Sequence, residues 1–217
     1  WINGGAENGK DPVFTEKAGE YGIAGNDNSV AAAFFDYDLD GWPDLYVLNN
    51  VVNSQITSAY RPKIVDGGAL NNDRLYHNNG DGTFTDVTRE AGILYEGFGL
   101  GLAISDLNKD RYPDIFISND LISNDLLYIN KGDGTFRNEI RKYLSYQSKT
   151  SKGNDIADVN NDGNPDIFSL DMMPESYHRK KQTTNGFSYL HYAADAEYGF
   201  EHQYMRNMMH MHNGFLN

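Results

Sequence analysis

The amino-acid sequence predicts an all-β chain in which four-stranded units repeat as the blades of a β-propeller. Three observations carry that expectation. An acidic loop of one fixed spacing occurs three times, starting at Asp36, Asp106 and Asp158. Each copy lies between two strand-like segments. A second shared block, with the core NGDGTF or KGDGTF, follows the first two copies and reads as a tight hairpin turn. Fifteen Tyr, 11 Phe and 2 Trp among many Asp, Asn and Gly make a turn-rich β composition. Four-stranded units that recur at this length are the signature of propeller blades.

Residues 1–23 read as the end of a preceding blade, because Phe14 matches Phe84 and Gly22-Ile23 matches Gly92-Ile93. Residues 24–93 form the next blade. Its first strand, AAAFF, leads into FFDYDLDGWPDLYVLNN, where Asp36, Asp38, Asp40 and Asp44 crowd into nine residues. Like charges so close are costly unless something neutralises them. Aspartates at positions 1, 3 and 5, glycine at 6 and a backbone carbonyl at 7 make the hard-oxygen cage that calcium prefers. The predicted ligands of the first loop are therefore Asp36, Asp38, Asp40, Asp44 and the Trp42 carbonyl. A helix-flanked loop ends in a glutamate at position 12. Here position 12 is Val47, inside an apolar run, so this loop feeds a strand.

Residues 94–147 form the second blade, with Asp106, Asn108, Asp110, Asp114 and the Tyr112 carbonyl as ligands. Position 6 is Arg111 instead of glycine, and a positive φ there costs on the order of 1 kcal/mol. Residues 148–217 form the third, with Asp158, Asn160, Asp162, Asp166 and the Asn164 carbonyl. All three loops place proline at position 8 (Pro43, Pro113, Pro165). One copy alone would be compatible with a solvated Asp/Gly turn; three copies in register are not. Residues 172–203 interrupt the third blade as an insertion, helix-permissive from Tyr189 to Tyr198, and a long loop on a rigid scaffold is where recognition residues tend to sit. The closing QYMRNMMHMHNGFLN reads as an incomplete hairpin, Asn213-Gly214 matching Asn79-Gly80. About three blades cannot close a ring, so the chain is expected to be a piece of a larger propeller, completed by further blades of the same polypeptide.

A net charge of −13 argues against nucleic acid as a partner. The absence of cysteine excludes disulfides and a thiol nucleophile. No apolar run approaches 18 residues and no signal peptide is present, so no transmembrane segment is expected in these residues. A signal or lipid anchor would have to lie upstream.

The sharpest enzymatic alternative uses paired carboxylates or metal-assisted hydrolysis. Nearly all patterned acids are committed to the loops, however, and a metal-bound carboxylate cannot shuttle protons. Asp155 is an exception, since the other copies carry Ala33 and Ala103 there. His210 and His212 form an H-x-H pair able to share one strand face and hold a transition metal. The remaining late histidines (His178, His191, His202), the basic run His178 to Lys181, and the aromatics Tyr189, Tyr192, Tyr198 and Phe200 fit a solvated or self-packed insertion, with sugar stacking as the other reading of the aromatics. No serine-histidine constellation, phosphate loop or dinucleotide fingerprint occurs. The balance favours a calcium-stiffened, non-catalytic binding scaffold for a protein or glycan. The alternative is the propeller part of a secreted carbohydrate-active or other hydrolytic enzyme.

This combination resembles the FG-GAP/VCBS repeat family, the calcium-loop propellers of integrin α-subunits and bacterial relatives. Phe98-Gly99 falls where that family's Phe-Gly lies. KGNDIADVNNDGNPDIFSLDMMPE and QYMRNM further resemble bacterial surface proteins akin to cartilage acidic protein. The resemblance implies a seven-bladed propeller, calcium at the loop positions named above, and a secreted or cell-surface location with an adhesive role.

Overall fold

The computed structural model describes residues 1–5, 11–51, 61–183 and 189–213. A short hairpin, β1 (Ile2–Asn3) and β2 (Phe14–Thr15), leads through the one-turn helix α1 (Ala18–Tyr21) into the first four-stranded sheet. That sheet contains β3 (Ser29–Phe35), β4 (Asp44–Asn49), β5 (Arg74–Asn78) and β6 (Phe84–Asp86), in sequence order and antiparallel throughout. The second sheet repeats it with β7 (Gly99–Ser105), β8 (Asp114–Asn119), β9 (Leu126–Asn130) and β10 (Phe136–Asn138). After α2 (Ile140–Tyr143) and the two-residue β11 (Gln147–Ser148), the third sheet is formed by β12 (Ser151–Ala157), β13 (Asp166–Asp171) and β15 (Met208–His210). Between β13 and β15 lie the helices α3 (Tyr177–Thr183) and α4 (Tyr189–Glu197), and β14 (Gln203–Tyr204), which pairs in parallel with β11. The expected helix in the insertion is thus formed. No helix among the described residues is long and apolar enough to cross a membrane.

The repeat extends to the register of individual residues. In each sheet the first strand meets the second with the residue before the loop opposite the position-9 aspartate: Phe35 opposite Asp44, Ser105 opposite Asp114, Ala157 opposite Asp166. Each pair also slips by one residue near the far end, between Ser29 and Ala31, Gly99 and Gly101, and Ser151 and Gly153. A bulge at one place in three copies bends each sheet alike. β7 lies between β3 and β12, so the first strands pack side by side. Gly101 permits this approach, because a Cβ there would stand 2.8 Å from the Gly153 Cα.

Two apolar layers hold the sheets together. Tyr46 and Leu48 of β4 pack with Ile115, Ile117, Leu126 and Tyr128 of the second sheet. On the opposite face of that sheet, Phe116, Leu127 and Ile129 pack with Ile167. Both faces being covered, all six residues of β8 are buried and its sequence DIFISN shows no polar alternation. In β13 the alternation returns: Ile167 and Ser169 are buried, while Phe168 and Leu170 are 37% and 46% exposed.

The outer edges meet at a glycine corner. Gly92, at φ +80°, lies within a turn closed by Ile93 N–H to the Thr88 carbonyl (2.9 Å), and its missing Cβ would lie 2.7 Å from the Phe136 carbonyl oxygen. The adjacent Phe136 N–H donates to the Ala91 carbonyl at 2.8 Å, fixing one sheet's corner to the next sheet's outer strand.

The described parts of the links between second and third strands, within residues 50–73, 120–125 and 172–207, lie at the sheet ends away from the acidic loops. Only the middle one is short; the first, part of which lies outside the described residues, is long as well. The links bind one another across units: Lys63 N–H donates to the Tyr198 carbonyl (3.0 Å), Glu201 N–H to Asn124 Oδ1 (2.9 Å), and Gln203 Nε2 to the Ser123 carbonyl (2.7 Å). Lys149 Nζ reaches Asp195 of α4 at 3.0 Å. Tyr192 of the insertion stacks on His202 with ring centroids 4.1 Å apart, and Phe200 is buried.

Candidate metal centre

Each acidic loop joins the first two strands of its sheet and folds around its own carboxylates. In the first, Asp36 Oδ1 accepts the Asp40 N–H (3.1 Å) and Oδ2 the Gly41 N–H (2.9 Å), while Asp40 Oδ1 accepts the Trp42 N–H (2.8 Å). The second repeats this with Asp106 accepting from Asp110 (3.1 Å) and Arg111 (2.8 Å), and Asp110 from Tyr112 (2.9 Å). In the third, Asp158 accepts from Asp162 (3.1 Å) and Gly163 (2.8 Å), and Asp162 from Asn164 (2.8 Å). The turn demands left-handed backbone at position 6, met by Gly41 (φ 93°) and Gly163 (φ 82°) and forced on Arg111 (φ 81°). Position 4 is also left-handed, at Leu39, Lys109 and Asn161 (φ 61°, 63° and 58°), which no glycine signals in the sequence.

The position-9 aspartates do a different job from the other three. Asp44, Asp114 and Asp166 are at most 1% exposed, and each uses both oxygens on backbone. One oxygen takes the N–H of loop position 2: Tyr37 (3.1 Å), Leu107 (2.9 Å) and Val159 (3.1 Å). The other takes an N–H from the third strand or just past it: Asn78 (2.8 Å), Asn130 (2.9 Å) and His212 (2.8 Å). Each therefore ties its loop to the hairpin. Burial pushes the Asp44 carboxyl up, and pushes Asp114 up to about 6 against the pull of its two N–H donors. The position-7 residues complete the link in the first two units. The Trp42 ring lies against Gly80 and the Tyr112 ring against Gly132, each in the turn of its hairpin.

The loops differ in how their charge is met. Asn108 and Asn160 donate their amides to Asp110 and Asp162 (2.8 and 2.9 Å), and this bond holds the exposed Asp162 carboxyl below its ordinary range. Asp38 takes that place in the first loop and brings another negative charge instead. Oxygens of Asp36, Asp38 and Asp44 lie within 4.8 Å of one another, as do ligand atoms of Asp38, Asp40 and His77. These two groups, both at the first loop, with His77 reaching in from β5, are the only such clusters among the described residues. An all-oxygen set of that compactness fits a hard divalent cation. The pattern of the sequence did not single out His77. Its Nδ1 is 3.3 Å from Asp44 Oδ1 and 3.5 Å from Asp38 Oδ2, whereas the other units carry Ile129 and Met211 there.

His210 lies in β15 opposite Ile167, and burial lowers its pKa; neither it nor His212 joins a metal-holding group of three among the described residues. Asp155 is exposed opposite Phe168 and receives its neighbour's N–H (2.9 Å). Two buried acids outside the loops stand out. Asp73 and Asp125 accept the N–H of Asn49 and Asn119, each at 2.8 Å, and burial pushes both up to about 7. In the third unit Asn207 takes this role, receiving the Asp171 N–H at 2.7 Å. The sequence signal was present as the repeated Asn-Asp ahead of the first two hairpins.

A search of curated proteins finds no match. A family model described as the FG-GAP-like repeat matches residues 64–117 and again 106–169. The second and third loops fall inside these matches; the first lies outside them and shares their geometry. Repeats of this kind are typically non-catalytic. The chain thus contains the FG-GAP-like repeat twice, across residues 64–169.

Proposed function

We propose that the chain is a set of calcium-stiffened propeller blades, belonging to a seven-bladed ring, that presents its strand-linking loops to a protein or glycan outside the cell. The observation that carries this reading is the shared geometry of the three acidic loops, which hold their carboxylates in one arrangement while leaving charge unmatched. The residues assigned to metal are Asp36, Asp38, Asp40, Asp44 and the Trp42 carbonyl; Asp106, Asn108, Asp110, Asp114 and the Tyr112 carbonyl; and Asp158, Asn160, Asp162, Asp166 and the Asn164 carbonyl. Bound there, a calcium ion would supply the positive charge these oxygens lack and brace the turn between two strands. Residues at positions 1 and 5 already order the loop through backbone N–H bonds, and position 9 fastens it to the hairpin, so the metal's role is structural.

Further blades are supported by the exposed face of β13. Phe168 and Leu170 correspond to Tyr46 and Leu48, which the following sheet covers completely. An extracellular or cell-surface setting is supported by loops of this type working at about 10⁻⁴–10⁻³ M calcium. Recognition is assigned to the linking loops, including 172–203, because they are long, joined across units and distant from the metal loops.

The test is thermal melting of Asp40→Ala and Asp162→Ala with and without calcium. A cation that binds only the folded chain stabilises by mass action. Each variant should melt lower than wild type in calcium and show a smaller calcium response. A loop variant that kept full stability and lost a hydrolytic activity would put the enzyme reading in place of this one.

A further inference from the structure

The two long linking loops and neighbouring residues of the second unit line a cleft of about 380 Å³ whose walls come from all three units, Lys63, Tyr95, Asn138, Arg141, Tyr198 and Glu201 among them. Its electrostatics are lopsided. Glu201 is fully engaged, one oxygen receiving Arg141 Nε at 2.8 Å and the other the Gln147 amide. Glu96, beneath the same loops, is taken by the Arg61 guanidinium (2.9 and 2.5 Å) and the Ile64 N–H (2.8 Å). Lys63 is left without a carboxylate within ion-pair distance among the described residues. Its ammonium donates to Asn124 Oδ1 (3.1 Å) and otherwise stands over the rings of Tyr95 and Phe200, at 5.6 and 5.9 Å. The cleft thus carries one unmatched positive charge in a protein of net charge −13.

An ammonium with an amide oxygen and two ring faces for company has been taken from water with no anion in contact, Glu201 and Glu96 acting on it only from beyond ion-pair distance. Burial lowers its pKa accordingly. Lys63 is also held in place, its backbone N–H bonded to the Tyr198 carbonyl (3.0 Å). The walls offer two tyrosine rings, and Asn138, whose side-chain oxygen is spent on the Leu127 and Ile140 N–H groups, so that its amide nitrogen is the donor left over. Aromatic faces beside a few fixed polar groups suit a ring with one apolar face and hydroxyls around its edge. The volume is at the small end for ligand sites, matching one ring rather than a peptide segment, which would need a groove or a sheet edge.

We propose that this cleft binds one carboxylate-bearing sugar unit, a uronic acid, with the Lys63 ammonium taking the carboxylate and Tyr95, Tyr198 and Asn138 meeting the ring. This deepens the scaffold reading, resting on it for the use of the linking loops in recognition.

The experiment is calorimetric titration of the calcium-loaded chain with D-glucuronate, with D-glucose as the uncharged match and the capped tripeptide acetyl-Ala-Glu-Ala-amide as the peptide arm. Glucuronate should bind about tenfold or more tightly than either. Lys63→Met should lose that binding by about tenfold or more and keep its calcium-dependent melting. Should Lys63→Met fail to fold, Arg141→Gln serves, since its side chain is 72% exposed. It frees Glu201 to oppose the ligand and should weaken glucuronate alone. Equal binding of glucose and glucuronate, no glucuronate binding, or unchanged binding by the variants overturns the proposal. Preference for the tripeptide overturns it in favour of an acidic protein partner. Because melting is read separately, loss of the calcium response with binding intact would count against the scaffold reading and not against the cleft.

Discussion

Asp125 sits immediately before β9, 2% exposed, holding the Asn119 N–H at 2.8 Å and the Ser151 hydroxyl at 3.3 Å. Burial pushes its carboxyl from 3.8 up to about 7, so the folded chain keeps a proton that the unfolded chain has lost. The stability this group contributes is complete below about pH 4 and is lost as pH rises through about 7. At ~1.4 kcal/mol per unit, the loss is about 4 kcal/mol as a ceiling. Asparagine cannot ionise, and Asn207 shows that it fits, its Oδ1 receiving the Asp171 N–H at 2.7 Å in the third unit. In Asp125→Asn the bond to Asn119 survives, while the Ser151 hydroxyl must turn to accept from the new amide. Recovery of about half the ceiling, ~2 kcal/mol, raises Tm at pH 8 by about 4–8 °C for a domain of this size. Melts from pH 4 to 9 in saturating calcium should show a wild-type Tm that declines towards pH 7 and a variant curve that is flatter and higher. A variant that melted lower at pH 8, or that tracked the wild-type curve in parallel, would refute the argument.

Calcium affinity should fall in the order first, third, second loop, because the first has four carboxylates and the second forces Arg111 into left-handed backbone; competition titrations that found the second tightest would reverse it. Arg111→Gly should stabilise by about 1 kcal/mol in urea unfolding, through relief of the strained φ of 81°. Gly92→Ala should destabilise by more than the ~1–2 kcal/mol of a left-handed alanine, since the new Cβ would lie 2.7 Å from the Phe136 carbonyl oxygen; an unchanged Tm would mean that the corner does not hold neighbouring sheets in place.

The strands and acidic loops were legible because their information is local. Spacing of two between carboxylates, glycine at position 6 and an apolar run afterwards specify a loop that feeds a strand, and Arg111 accepts the strain its place requires. What was not legible arises where distant residues meet. His77 belongs to β5 and reaches Asp38 and Asp44 only because the hairpin folds back over the loop. Position 4 is left-handed with leucine, lysine and asparagine, a set with no common signal. Asp73 and Asp125 stood in the repeated block in plain view, yet only burial distinguishes them from surface acids. The cleft around Lys63 combines side chains of the two long links with Tyr95, Asn138 and Arg141 from outside them, which no periodicity describes.

The fastening of neighbouring sheets at the glycine corner and along the first strands holds the sheets in register whatever the length of the linking loops. Their span can range from residues 120–125 to residues 172–207 while sheet register stays the same in all three units. Such a frame separates the part of the chain that must be kept from the part that can be rewritten. Foreign segments of quite different length should be exchangeable at the exposed residues 175–182, giving the molecule new specificities on an unchanged body.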